Sequence, residues 1–398
     1  MNPKVKKILV PIIAVLAGFI LGAIIMLVSG YNPLIGYTEL FYAAFGDARS
    51  IGETISTAGP LILTALSFAV SMKVGLFNIG MSGQALAGWV ASIWFALSFP
   101  DMPRIILIPM ILIVGIIGGL VMGLIPGILK ALLGTSEVIV TIMMNYVILF
   151  GSTFMLKNVF SKKIIQAAAT DNTRLVGPNA TFRLAWLSRL TDDSTLNIGI
   201  FIAVIALIIM AILFARTTLG FEIKAVGLNP SAAEYAGISA KRTIISSMMI
   251  AGALSGLGGV VYGIGTMQYF AMQHASMSIG FDGMAVALLG QNSPLGILFA
   301  ALLFAVLQVG KTGMTIANIP QEIVSIVTAS IIFFIAIRFV IETILPKARE
   351  HRDKMMDEER KLAAETVSQN EKVELSSERY SENAELSSER YSNGGEEQ

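Results

Sequence analysis

In a chain this apolar the residues able to do chemistry are few, and the absent types matter as much as those present. There is no cysteine, and the two histidines, His274 and His351, lie far apart. That excludes disulfides, thiolate catalysis, Cys-type zinc or iron-sulfur sites and a multi-His metal centre. What remains is a small set of carboxylates and amides inside or beside apolar runs, where a polar group is costly and marks a pathway or a tertiary contact. Glu137 follows Thr135 and Ser136 at the start of one run, a position where the helix dipole and capping hydroxyls favour an acid. Asn145, two turns deeper on the same face, reads as interhelical glue or as a ligand. Asp282, behind Gly280 and Phe281 in a short run, suits a re-entrant turn beside a water-filled pathway. Arg338 and Glu342, four apart, read as an interfacial pair without a function. No row of buried acids or histidines marks a proton relay, which counts against a secondary transporter driven by an ion gradient. No cluster of catalytic groups at one depth supports a membrane-bound enzyme. Gly310-Lys311-Thr312 ends like a phosphate-binding loop, but Ala305 stands where its first Gly belongs and an apolar span precedes it instead of a strand.

These groups need membrane helices to hold them. Of the 398 residues 55% are hydrophobic and 14% charged, against roughly 25% charged in soluble domains. Moreover, 23 of the 55 Lys, Arg, Asp and Glu fall in residues 347–398. The reading is an all-α, polytopic integral membrane helical bundle over 1–346, set in the lipid bilayer, with a short cytoplasmic coupling helix. Residues 347–398 form a charged, solvated tail containing ELSSERYS twice, at 374–381 and 385–392. A net charge of +1 gives no basic field for nucleic acid.

A span needs about 20 mostly apolar residues, and ten runs qualify as candidates: 8–28, 54–72, 81–99, 105–129, 137–156, 197–215, 243–265, 279–292, 294–311 and 321–341. The eighth is short and broken by Gly280, Gly283 and Gly290, so eight to ten spans are expected, with 279–292 re-entering or leaning on its successor. The first run is too long for a cleavable signal and is kept. Lys and Arg beside short loops place both termini in the cytoplasm, with the long 157–196 connection outside despite its charge. Glycines four apart, Gly115, Gly119, Gly123 and Gly127 in one run and Gly252 with Gly256 and Gly259 with Gly263 in another, predict close helix contacts.

The stretch 216–243 carries a helix's punctuation: Asn229 to cap, Pro230 at the first helical position, Ala233 and Glu234 within, Gly237 to end. It is either a loop helix lying on the membrane or a knob seated in another protein's groove.

The pattern from Gly220 to Ile238, GFEIKAVGLNPSAAEYAGI, resembles the coupling segment of permease subunits in bacterial ABC importers of the branched-chain amino acid, ribose and nucleoside group. VGLFNIGMSGQ at 74–84, GTSEVIVTIMMNYV at 134–147 and GFDGMAVALLGQNSPLG at 280–296 look like its nucleoside or simple-sugar branch; relatives commonly have Glu where this chain has Ser82. The resemblance implies a plasma-membrane permease that binds no cofactor itself. Its partners would be a second permease subunit, an ATPase that uses ATP and Mg, and an extracytoplasmic substrate-binding lipoprotein. Gly220, Glu222, Ala225, Gly227, Asn229, Pro230, Ala233, Glu234 and Gly237 would couple ATP-driven closure of the ATPase to the membrane. The cargo would be a nucleoside, with ribose, other simple sugars or branched-chain amino acids as alternatives within the group. A neutral nucleoside calls for amides and aromatic faces; Asn78, Gln84, Asn145, Gln268, Phe281 and Gln291 supply them, with Glu137 and Asp282 as further pathway candidates.

Overall fold

The computed structural model describes residues 3–166, 169–334 and Met356; the repeated tail and the Arg338/Glu342 pair lie outside them. The apolar runs become helices α1 (Pro3–Val28), α3 (Ala48–Lys73), α4 (Met81–Ser98), α5 (Arg104–Leu133), α6 (Glu137–Phe154), α8 (Gly199–Arg216), α11 (Ala240–Val260), α12 (Ser278–Leu289) and α13 (Pro294–Ile316), and α14, whose described part is Gln321–Phe334. Four shorter helices had no counterpart among the runs: α2 (Pro33–Phe45), α7 (Ala185–Leu190), α9 (Thr218–Leu228) and α10 (Pro230–Tyr235), of which α10 is the helix that the Asn-Pro-Gly punctuation predicts. Among the described residues six helices are long and apolar enough to cross a membrane. The chain is a multi-pass membrane protein.

The glycine ladders meet as their spacing requires. A Cβ on Gly119 would lie 2.3 Å from the Gly252 carbonyl oxygen, and one on Gly252 would lie 2.4 Å from that of Gly119. α5 and α11 therefore touch backbone to backbone, the contact that small residues permit. The other face of α11 treats α4 the same way: a Cβ on Gly88 would meet the Gly256 carbonyl at 2.1 Å, and one on Gly259 that of Ala85 at 1.8 Å. α4, with 13 of its 18 residues buried, becomes the centre of the bundle.

α3 fixes the two ends. Its first turns touch the 157–196 connection, since a Cβ on Gly52 would meet Ser194 Oγ at 2.3 Å, while its last residue, Lys73, lies against Gly227. At the Gly52 end the connection is ordered. It carries the antiparallel pair β1 (Ile165–Gln166) and β2 (Ala169–Thr173) and is strapped to residues 266–272. Asn172 bridges Ala271, Thr173 N donates to Phe270 O and Val176 N to Gln268 O, and Arg183 reaches Thr266 O.

Candidate functional site

At the Lys73 end, Thr217 caps α9, its Oγ1 accepting from Gly220 N, and α9 folds back along α8. Gly220 is required there: a Cβ would lie 2.0 Å from Leu213 O. Asn229 then ends α9 and caps α10, its Oδ1 accepting from Ala232 N at 3.1 Å, with Pro230 at the first helical position. Gly237 takes φ +83°, the left-handed conformation that favours glycine. Ala233 is buried with Val74, Leu76, Ile223, Val226, Ala240 and Met248, so α10 is seated on the ends of α3 and α11. Gly227 lets α9 touch α3, because its Cβ would meet Lys73 O at 2.0 Å. Ala225 is half-buried under the same patch and Glu222 sits half-buried on the neighbouring face. Glu234 is exposed, as are Tyr235 (95%), Leu228 (88%) and Phe221 (66%). All nine residues expected to couple thus fall on one small structure, or on the helix that carries it.

Beside it, residues 74–80 connect α3 to α4 in non-helical conformation, with Gly75 at φ +85°. Buried backbone polar groups outside a helix need partners, and the expected pathway amides supply some of them. Asn78 Oδ1 accepts from Gly80 N at 2.9 Å and its Nδ2 donates to Gln84 Oε1 at 3.3 Å. Asn145 accepts from Gly83 N at 2.8 Å and donates to Ile79 O at 3.0 Å, while Thr141 Oγ1 accepts from Ile79 N. Both asparagines are buried and their polar atoms bond backbone or each other's neighbours. Ser82, where relatives carry the acid, donates to Met277 O at 2.8 Å, and a Cβ on Gly280 would collide with it at 2.3 Å. There is no room for a Glu side chain at that contact without moving α12.

The other expected pathway residues are dispersed. Glu137 pairs with Lys130 at 2.8 Å, closing the α5–α6 turn. Gln268 caps the π-helical extension of α11 (Val261–Met267) at φ +64°, with its Nε2 donating to Thr181 Oγ1 at 2.7 Å. Phe281 is 45% exposed on α12, and Gln291 lies at φ +54° in the turn before α13. Asp282 Oδ2 accepts from Gln308 Nε2 at 2.8 Å.

That last bond leads to what the sequence reading missed. A cavity of about 390 Å³ is walled by α3 (Thr57), the π-helical end of α11 (Tyr262, Thr266), the loop that follows (Gln273, Ser276) and α13 (Gln308). Its lining mixes hydroxyl, amide and aromatic groups with aliphatic ones (Pro60, Leu61, Met277, Ile279), with no charged side chain among the described residues. Gln308 and Tyr262 lie within predicted spans, so the rule that selected Asn145 applied equally to them. The convergence itself depends on the π-helical turn, which no spacing announces.

The family model described as branched-chain amino acid transport system / permease component matches residues 50–336. The chain belongs to this permease family. Among relatives, the permease is 68% identical over 349 residues to "Nucleoside ABC transporter permease protein NupB" of Lactococcus lactis subsp. cremoris, covering 88% of this chain and 96% of that one. It is 42% identical to "Guanosine ABC transporter permease protein NupP" of Bacillus subtilis, covering 88% and 99%. A second permease of that organism, "Guanosine ABC transporter permease protein NupQ", is 27% identical over 65% of this chain and 80% of its own. No solved structure matches the permease.

Proposed function

We propose that this permease forms one half of the membrane pathway of an ATP-driven nucleoside importer. The 68% identity to NupB over nearly the whole of both chains is the observation that carries the cargo class. Pairing with a second, different permease follows from the separate NupP and NupQ chains of one organism, which this chain matches at unequal identity. In this reading both termini and α10 face the cytoplasm, where the exposed Phe221, Leu228 and Tyr235 meet a separate ATPase that binds ATP and Mg. An extracytoplasmic lipoprotein delivers the solute to the opposite end. The test is uptake of labelled uridine, adenosine, ribose and leucine by cells with and without the gene, under ATP depletion and separately under an uncoupler. Gene-dependent nucleoside uptake that stops on ATP depletion and survives the uncoupler is expected. Uptake lost to the uncoupler while ATP is maintained overturns the reading in favour of a secondary transporter.

A further inference from the structure

We propose that the cavity between α3, α11, α13 and the 268–277 loop is a solute subsite within the single permease chain, in which Asp282 orients the Gln308 amide to accept a hydrogen bond from the passing solute. The substrate class rests on the nucleoside reading above. At about 390 Å³ the cavity lies within the range of small-molecule sites. Its walls offer the Tyr262 ring, the Gln273 and Gln308 amides and the Thr57, Thr266 and Ser276 hydroxyls. That is a set for an uncharged ring system rich in hydroxyl and N–H groups, and it offers nothing to balance a charged solute.

Asp282 supplies direction. Its Oδ2 accepts from the Nε2 end of Gln308 at 2.8 Å. Ser278, one turn back on α12, and Lys311 on α13 act on the same carboxylate. Gln308, which lines the cavity, is left with its Oε1 as the free acceptor. It therefore takes a hydroxyl or imino N–H of the solute, and a solute lacking that donor leaves the oxygen unpaired. Asp282 is a positioning residue here, acting through Gln308.

The experiment uses the assembled importer in proteoliposomes. Because a delivery protein captures solute first, KM reports capture and the rate at saturating solute reports steps inside the membrane. Gln308→Leu is expected to lower the saturated rate for uridine roughly three- to tenfold, the worth of one neutral hydrogen bond, at unchanged KM. Asp282→Asn, whose amide can pair with Gln308 in either orientation, is expected to lower it less. The double variant is expected to fall no further than Gln308→Leu alone, a non-additivity that a merely structural acid does not produce. Independently, because the chain has no cysteine, Ser276→Cys can be labelled with a maleimide; saturating uridine is expected to slow labelling there and not at Ser293→Cys, outside the cavity. A wild-type saturated rate for Gln308→Leu overturns the proposal. So does a full additional loss in the double variant, or equal labelling with and without uridine. If the importer carries some other neutral solute and no nucleoside, the cargo reading fails while the same variants, read on that solute, still decide the subsite.

Discussion

Substituting Gly227 isolates the contact through which α9 and α10 bear on the bundle. In Gly227→Ala the new Cβ would lie 2.0 Å from Lys73 O and 2.9 Å from its carbonyl carbon. Real Cβ atoms essentially never approach closer than 3.0 Å, so the two backbones must separate by about 1 Å, toward ordinary C···O contact. Neither side yields freely. Lys73 is the last residue of α3, its amine held over the Phe214 ring at 4.9 Å, and Gly75 at φ +85° packs on Gly227 from the other side. Overpacking of this kind costs about 1–3 kcal/mol, which lowers the melting temperature of a multi-span protein modestly and leaves insertion intact. The displacement matters more than the energy, because α10 follows within three residues and moves with it. Purified importer carrying Gly227→Ala should hydrolyse ATP while transporting several-fold less solute per ATP. Gly237→Ala is the control. It forces a non-glycine residue into the left-handed region at a cost of about 1–2 kcal/mol, yet its Cβ meets nothing within 4 Å, so transport per ATP should be retained at similar loss of stability. Equal transport per ATP in Gly227→Ala and wild type would refute the role assigned to this contact.

Ala233→Arg places a cation where a side chain 4% exposed packs on Val74 and Met248; membrane insertion should persist while transport driven by ATP is lost, read by surface labelling and uptake. Asn145→Ala removes one hydrogen bond to the α3–α4 connection and one to the first turn of α4 and should destabilise the protein by about 1–3 kcal/mol, seen as a lower midpoint in a thermal-shift assay. The KM for solute should stay unchanged, and a KM shift without loss of stability would return Asn145 to the pathway. Gly119→Leu, driven into the Gly252 carbonyl, should abolish accumulation of folded protein, scored by fluorescence-detected gel filtration. Glu137→Gln should cost no more than about 1 kcal/mol, since the pair with Lys130 is partly exposed, and leave uptake near the wild-type rate.

The spans and the α10 cap were legible because each is a local instruction: some twenty apolar residues for a crossing, Asn-Pro and a later Gly for a short helix. The glycine seam was legible too, since spacing of four puts Gly115 to Gly127 on one face before any partner is known. α2 escaped because thirteen residues are too few to read as a span; packing on α13 and α3 holds it. α9 escaped as a loop because its helix depends on α8 against which Gly220 closes. The amides are ambiguous for a physical reason. A buried Asn is needed equally by a solute and by backbone outside a helix, and the fold shows that Asn78 and Asn145 bond the α3–α4 connection and the start of α4. The cavity is tertiary throughout, drawing its walls from α3, α11 and α13.

The straps that roof the Gly52 end of the bundle also set an order of assembly. Thr173 Oγ1 accepts from Phe270 N across 97 positions of chain, and Gln268 joins Thr181 across 87. When residues 157–196 leave the ribosome, Ser56 and Arg104 are already made and can take Thr195 O, Thr181 O and Arg183 O, but residues 266–272 are not: α8, α9, α10 and α11 are synthesised in between. The connection is fastened on one side only until the π-helical end of α11 arrives. A chain interrupted before residue 266 therefore holds inserted helices under a half-fastened roof, without the Thr266 carbonyl that Arg183 takes.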